Sequence, residues 1–366
     1  MLIQYIYYAL VVVTVALLWL YAFRKFGWLD RPGWDRIPPR TFRVPNFQWI
    51  IMILGIWIWL SLFFPEMIAN KQIILLLFFA TWYALFNLAN DIIDLRTKMI
   101  GIPAWFRLIV QFLIVWIYIY ISQIYTNINL FDMQVNPVLW FIILLFWIVW
   151  FINAINFFDG VHAMASGVSS IWFISIFLII QLVVIVVYQN SITSSEYLLL
   201  NDIKSISLLL AISTLVYCVV EYKPNGVIRD VGFSFIWFVL AVLAMLGWAK
   251  IGTILVVLSL PIFDSIWVFL NRIFIMKKNP MKWDFTHLHH RLMVMGRSRG
   301  EIRVAVRVYT IFMTTLMLLL YDSSLWKIIV FTMILVIFFM AHVYLYRYKK
   351  LPYELLKREK TRDSDE

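Results

Sequence analysis

Long apolar stretches alternate with short polar breaks along the chain, and the stretches are too long and too unbroken for the helices of a water-soluble fold. A helix that crosses a bilayer needs about 20 mostly apolar residues. Windows of that kind, bounded by charged residues or proline, fall near 4–23, 47–64, 72–89, 105–124, 138–157, 165–188, 203–220, 231–248, 251–274, 305–321 and 325–346. The pattern predicts an all-α fold, a polytopic transmembrane bundle of about 11 helices. The connecting pieces are too short for an independent soluble domain, and no internal repeat or low-complexity tract stands out. One transmembrane domain, 1–348, followed by a charged cytoplasmic tail, 349–366, is therefore expected. The first window has no basic stretch before it and no small-residue cleavage site after it, so it reads as a permanent helix rather than a signal peptide.

Composition agrees: 63% of the 366 residues are apolar and 14% charged, against about a quarter charged in soluble domains. The net charge of +11 would suggest nucleic acid if it formed one basic surface. It is instead distributed by side. Arg24, Lys25, Arg31, Arg36, Arg40 and Arg43 follow the first window, Arg96 and Lys98 the third, and Lys223 and Arg229 the seventh. A further run reaches from Lys277 to Arg303, whereas 125–137 and 189–202 contain no Lys or Arg. Cytoplasmic loops carry such an excess, which places the amino terminus outside and the carboxyl terminus in the cytoplasm. The partner implied is a membrane, not nucleic acid. The single Cys218 permits no intramolecular disulfide and no thiol-rich metal site.

Ionisable groups near membrane level are costly and mark candidate sites. On the topology just derived, these groups gather at the inner face. Asn90, Asp91 and Asp94 end the third window; Asn153, Asn156 and Asp159 end the fifth; Glu221 and Asp230 join the seventh to the eighth. Asp264 interrupts the ninth, and Asp284 precedes His287-Leu288-His289-His290-Arg291-Leu292. An Asn or Asp at a helix end is commonly a cap, and Asp264 has Arg272, two turns on, or a neighbouring helix as an alternative partner. The spacing of Asn153, Asn156 and Asp159 puts them on one helical face, and three of the five histidines beside an arginine make a place for a polyanion such as a diphosphate. A metal site or a lipid-headgroup contact is the alternative there. A transporter would carry midplane charges and repeat symmetry, and neither is present.

These residues resemble the polyprenyl-phosphate N-acetylhexosamine-1-phosphate transferases, across most of the chain. The family's DDxxD loop is similar to Asn90–Leu95, its NxxNxxDGxDGLAxG segment to Asn153–Gly167, its MGDxGS loop to Arg229–Ser234, its PxxD helix to Pro261–Asp264, and HxHHRL is complete from His287 to Leu292. That last version resembles the N-acetylglucosamine branch more than the peptidoglycan branch. Departures are Asn90 for the first aspartate, His162 and Ala163 in the second segment, Glu221 for an asparagine, Val227 for an aromatic residue and Arg229 for a glycine.

The resemblance implies attack by a polyprenyl phosphate oxygen on the sugar-linked phosphorus of a nucleotide-diphospho-sugar, releasing a nucleoside monophosphate and initiating cell-envelope glycan synthesis at the cytoplasmic face of the cell membrane. It implies catalytic roles for Asp91, Asp94 and Asp159, with Asn90 in the remaining acidic position. Substrate binding falls to Asn153, Asn156, His162, Glu221, Asp264, His287, His289, His290 and Arg291. Asp230 and Asp91 are the implied ligands of magnesium, with manganese able to substitute, and the family suggests a homodimer. The implied donor is a UDP-sugar, although His162 and Glu221 alter positions that surround uridine in the family and leave the base open. A phosphate monoester has a second pKa near 6, so the attacking group is already ionised at neutral pH and Asn90 is compatible with turnover. The alternative is a catalytically silent relative acting as a scaffold in glycan assembly.

Overall fold

The computed structural model describes residues 2–26, 48–97, 102–124, 136–158, 161, 163–184, 194–222, 229–246, 251–277, 286–320 and 323–347. Asp159, His162, Asp284 and the tail lie outside the described residues, as do the side chains of Asp94 and Arg229. Among the described residues there is no strand. The helices are α1 (Leu2–Phe26), α2 (Gln48–Phe63), α3 (Pro65–Ala69), α4 (Lys71–Thr97), α5 (Ala104–Ser122), α6 (Pro137–Phe158), α7 (Met164–Leu178), α8 (Ser194–Tyr222), α9 (Arg229–Leu246), α10 (Ile251–Val257), α11 (Ser259–Leu270), α12 (Leu288–Val294), α13 (Arg299–Leu319) and α14 (Ser324–Arg347). Wider π-type turns extend α7 through Ile179–Val184 and α11 through Asn271–Ile275.

Each predicted window contains helix, and among the described residues eight helices are both long and apolar enough to cross a membrane. Three of the 11 windows are not among these eight. Those of α2 and α9 are shorter, and the ninth is split at Leu258 into α10 and α11. Pro261 sits in the first turn of α11, where a missing N–H costs no intrahelical bond.

The middle of the bundle is α9. Its sequence, RDVGFSFIWFVLAVLAML, is apolar all round, and Val231 through Met245 are all buried. A helix with no polar face must be enclosed. It packs on α2, α4, α6, α7 and α8, and the Phe238 ring meets Tyr83 of α4 and Tyr118 of α5 at 6.2 and 5.4 Å. By contrast α1 and α14 are equally apolar yet expose Leu17, Leu18, Ile337 and Met340 by 59–65%. Apolar surface of that extent fits lipid rather than water, and the chain is a multi-pass membrane protein.

Polar contacts fix the two ends. At one, Asn70 Nδ2 donates to Asp202, about two turns into α8 (2.7 Å), and Gln72 at the start of α4 donates to the Ser122 carbonyl closing α5 (2.8 Å). Because the long helices alternate in direction, the ends of α4, α6, α8, α11 and α14 and the starts of α5, α7, α9 and α13 share the other end. The sequence motifs lie there.

Candidate active site

Asp230 opens the central helix α9, which packs along α4. It lies in the first turn of the enclosed α9, half-buried, where the unpaired N–H groups of a helix favour negative charge. Tyr83 of α4 is within electrostatic reach of both Asp230 and Arg107 of α5. Asp91 is buried nearly two turns from the end of the neighbouring α4, only 8% exposed. Asn90, beside it, accepts the Ile102 N–H on its side-chain oxygen at 2.8 Å, tying the chain that enters α5 back onto α4. A carboxylate at residue 90 would accept that bond equally well.

On α6, Asn153 is half-buried and donates to Gln111 of α5 (2.8 Å) and to the Val149 carbonyl (2.7 Å), while Asn156 is exposed. Glu221, at the end of α8, is buried and accepts from Ser166 in the first turn of α7 at 2.7 Å. Arg303 stacks over the adjacent Tyr222 ring at 4.2 Å. Carboxylate, hydroxyl and guanidinium groups from three helices thus gather beside the chain that carries the NxxNxxDG segment.

The histidine loop is built on Asp264. Its carboxylate is 1% exposed and accepts from His287 Nδ1 (2.9 Å) and from the Leu288 backbone N–H (2.8 Å). The second bond caps α12 from a distant element, since His287 supplies no side-chain cap. His342 of α14, fully buried, brings Nε2 to 3.6 Å from the same carboxylate. Arg272, the same-helix alternative, is buried and reaches Thr286 Oγ1 at 3.5 Å, whereas Arg291 Nε donates to the Thr286 carbonyl at 2.7 Å. The rings of His287 and His289 are parallel at 6.0 Å, and His290 lies 4.0 Å from His289. Burial, reinforced by the charges of His290 and His287, holds His289 well below the usual histidine range, so it is neutral at pH 7.

A histidine whose Nδ1–H is held by a carboxylate presents its other nitrogen in fixed orientation. The same cluster therefore contains an oriented imidazole and a guanidinium, the groups that bind phosphate oxygens. Among the described residues no three His, Cys, Asp or Glu side chains stand close enough to cage a metal ion. Asp230 and Asp91 are hard oxygen donors, the type that binds a divalent cation together with phosphate oxygens.

Residues 73–263, just over half of the chain, match the family model described as glycosyl transferase family 4. The chain belongs to that family. Similar proteins include the probable undecaprenyl-phosphate N-acetylglucosaminyl 1-phosphate transferase of Bacillus subtilis (strain 168), 29% identical over 200 residues that make up 52% of this chain and 51% of the relative. The phospho-N-acetylmuramoyl-pentapeptide-transferase of Enterococcus faecalis (strain ATCC 700802 / V583) is 24% identical over 150 residues, 39% of this chain and 46% of that protein. The chain thus spans about half the length of the curated relatives it matches. The family stretch contains Asn90, Asp91, Asn153, Asn156, Glu221 and Asp230 but ends one residue before Asp264, so the histidine loop joins the family site through the Asp264–His287 contact. Gln111, Ser166, Arg303 and His342 were not among the sequence candidates. Each is a polar residue at or inside an apolar window, the one signal that marked it.

Proposed function

We propose that this glycosyl transferase family 4 member moves a sugar-1-phosphate from a nucleotide-diphospho-sugar to polyprenyl phosphate at the cytoplasmic face of the cell membrane. The observation that carries the reading is the gathering of Asp91, Asp230, Glu221, Asp264 and the histidine loop at one end of a membrane bundle. An oxygen of the lipid phosphate attacks the phosphorus next to the sugar, that phosphorus–oxygen bridge breaks, and the nucleoside monophosphate leaves with the bond's electron pair. The reaction crowds negative charge, so catalysis rests on neutralising and aligning phosphates. His287, oriented by Asp264, and Arg291 supply donors to the diphosphate. Asp230 and Asp91 would hold magnesium, which when bound offsets phosphate charge. Asp91 keeps a carboxylate beside the attacking group, while Asn90 secures the approach to α5.

A non-catalytic scaffold is the second reading, favoured by Asn90 serving a backbone contact where the family carries an acid. Purified protein with polyprenyl phosphate, magnesium and a panel of UDP-, GDP-, CDP- and dTDP-sugars separates the two. Lipid-dependent release of a nucleoside monophosphate is expected, and its absence with every donor would leave only the scaffold. The panel also identifies the base at the positions altered by His162 and Glu221.

A further inference from the structure

We propose that Arg307, which lies outside every motif, is a positioning residue that sets the start of α7, at the end of the segment Asn153–Gly167, by holding the carbonyl of Ala163. A guanidinium inside an apolar window of α13 is costly unless it is engaged. Arg307 Nη2 donates a short hydrogen bond to the Ala163 carbonyl and contacts Cys218 Sγ at 3.0 Å. Ala163 needs such a hold. Its φ is +59°, a conformation that residues with a Cβ rarely adopt, and it begins α7 without a side-chain cap. The turn is closed locally by the Met164 N–H to the Val161 carbonyl, at 3.0 Å, and both Val161 and Ala163 are buried.

Gly167 provides the space. A Cβ there would lie 2.5 Å from Arg307 Nη2, 2.6 Å from Nε and 2.8 Å from Cζ, so a side chain would expel the guanidinium. A cation beside the start of a helix opposes the helix dipole, hence the contact is not there to stabilise α7. The Glu221 carboxylate, bonded to Ser166 in the same turn, offsets that charge. The arrangement fastens the end of the segment that supplies Asn153 and Asn156 and, in sequence, Asp159.

The inference rests on the transferase reading, and its test separates the two. Arg307→Ala, Arg307→Lys, Gly167→Ala and the Arg307→Ala/Gly167→Ala pair are purified in detergent, and the folded fraction of each is fixed by gel filtration and thermal unfolding. Per folded protein, kcat should fall about 10- to 100-fold in Arg307→Ala, the scale of a displacement near 1 Å at reacting groups, with KM for the sugar nucleotide nearly unchanged. Gly167→Ala should match it, the pair should be no worse than the poorer single variant, and Arg307→Lys should recover part of the loss. Wild-type kcat in the single variants, or losses that multiply in the pair, would overturn the assignment. Cys218, the chain's single cysteine, reads the contact without turnover. The guanidinium beside Sγ favours the reactive thiolate, so alkylation should be slower in both Arg307→Ala and Gly167→Ala, and an unchanged rate refutes the placement even if the parent protein transfers nothing. Should Arg307→Ala not fold, Gly167→Ala carries both readouts, since it displaces the guanidinium without deleting it.

Discussion

Replacing Asp264 by Asn changes one atom and reverses one hydrogen bond. The carboxylate now receives the His287 Nδ1–H and the Leu288 N–H, at 2.9 and 2.8 Å. In Asp264→Asn the amide oxygen still accepts from Leu288, so the cap of α12 survives. The amide nitrogen, a donor only, then faces His287 Nδ1. The contact persists only if Nδ1 loses its proton and accepts from the amide, so the ring can no longer carry a positive charge while Nε2 donates to a phosphate, and the charge-assisted bond becomes a neutral one. A hydrogen bond to a charged group is worth about 1.5–3 kcal/mol net, which at about 1.4 kcal/mol per tenfold is roughly a 10- to 150-fold loss of kcat/KM. Asp264→Ala loses the cap as well, adding about 1 kcal/mol of instability, so Asn and Ala should differ more in thermal unfolding than in turnover. The assay is nucleoside monophosphate release against sugar-nucleotide concentration, with unfolding followed in the same detergent. Asp264→Asn within twofold of the parent would mean that His287's orientation plays no part in transfer.

Asp230→Asn should raise the magnesium needed for half-maximal turnover by at least the roughly 10- to 100-fold that outer-shell changes cost a metal site; an unmoved titration removes Asp230 from the metal. Asn90→Asp keeps the Ile102 N–H bond and adds a base, so its advantage over the parent should be about threefold or more at pH 5.5, where the attacking phosphate is partly protonated, and vanish by pH 8. Equal pH profiles would show that residue 90 does not handle the proton. His289 has its folded-state pKa pushed below the ordinary value by burial. The unfolded chain therefore binds the proton more readily, and this contribution to stability is complete above about pH 6.5 and lost as pH falls below it. Hydrogen exchange across residues 287–294 should quicken on acidification in the parent and do so less in His289→Gln, and identical responses would contradict that reading.

Helix positions were legible because apolar length is a one-dimensional property: each window between charges contains helix among the described residues. Pairing was less so. Asp264 and His287 are 23 residues apart, Ser166 and Glu221 are 55 apart, and Ala163 and Arg307 are 144 apart. No periodicity links such positions, so Asp264 had Arg272 as an equal claimant in sequence although His287 takes the bond in space. Single polar residues such as Gln111 and His342 inside apolar windows were signals, but without partners they named no function.

The length of α9 among the described residues bears on the site. A window scan assumes that every apolar helix faces lipid and must span it, whereas a helix surrounded by protein is free of that length requirement. The 18-residue α9 covers about 27 Å at the usual rise, and its neighbours enclose it on every side. Being enclosed, it starts at the middle of one end of the bundle rather than at the lipid boundary. Its first turn carries Asp230, half-buried, on a helix against which α4, α6, α7 and α8 all pack. Charges delivered by the rim can then converge on a central carboxylate without any of them crossing hydrocarbon. The enclosed, wholly apolar α9 is thus the element that carries the candidate metal-binding carboxylate.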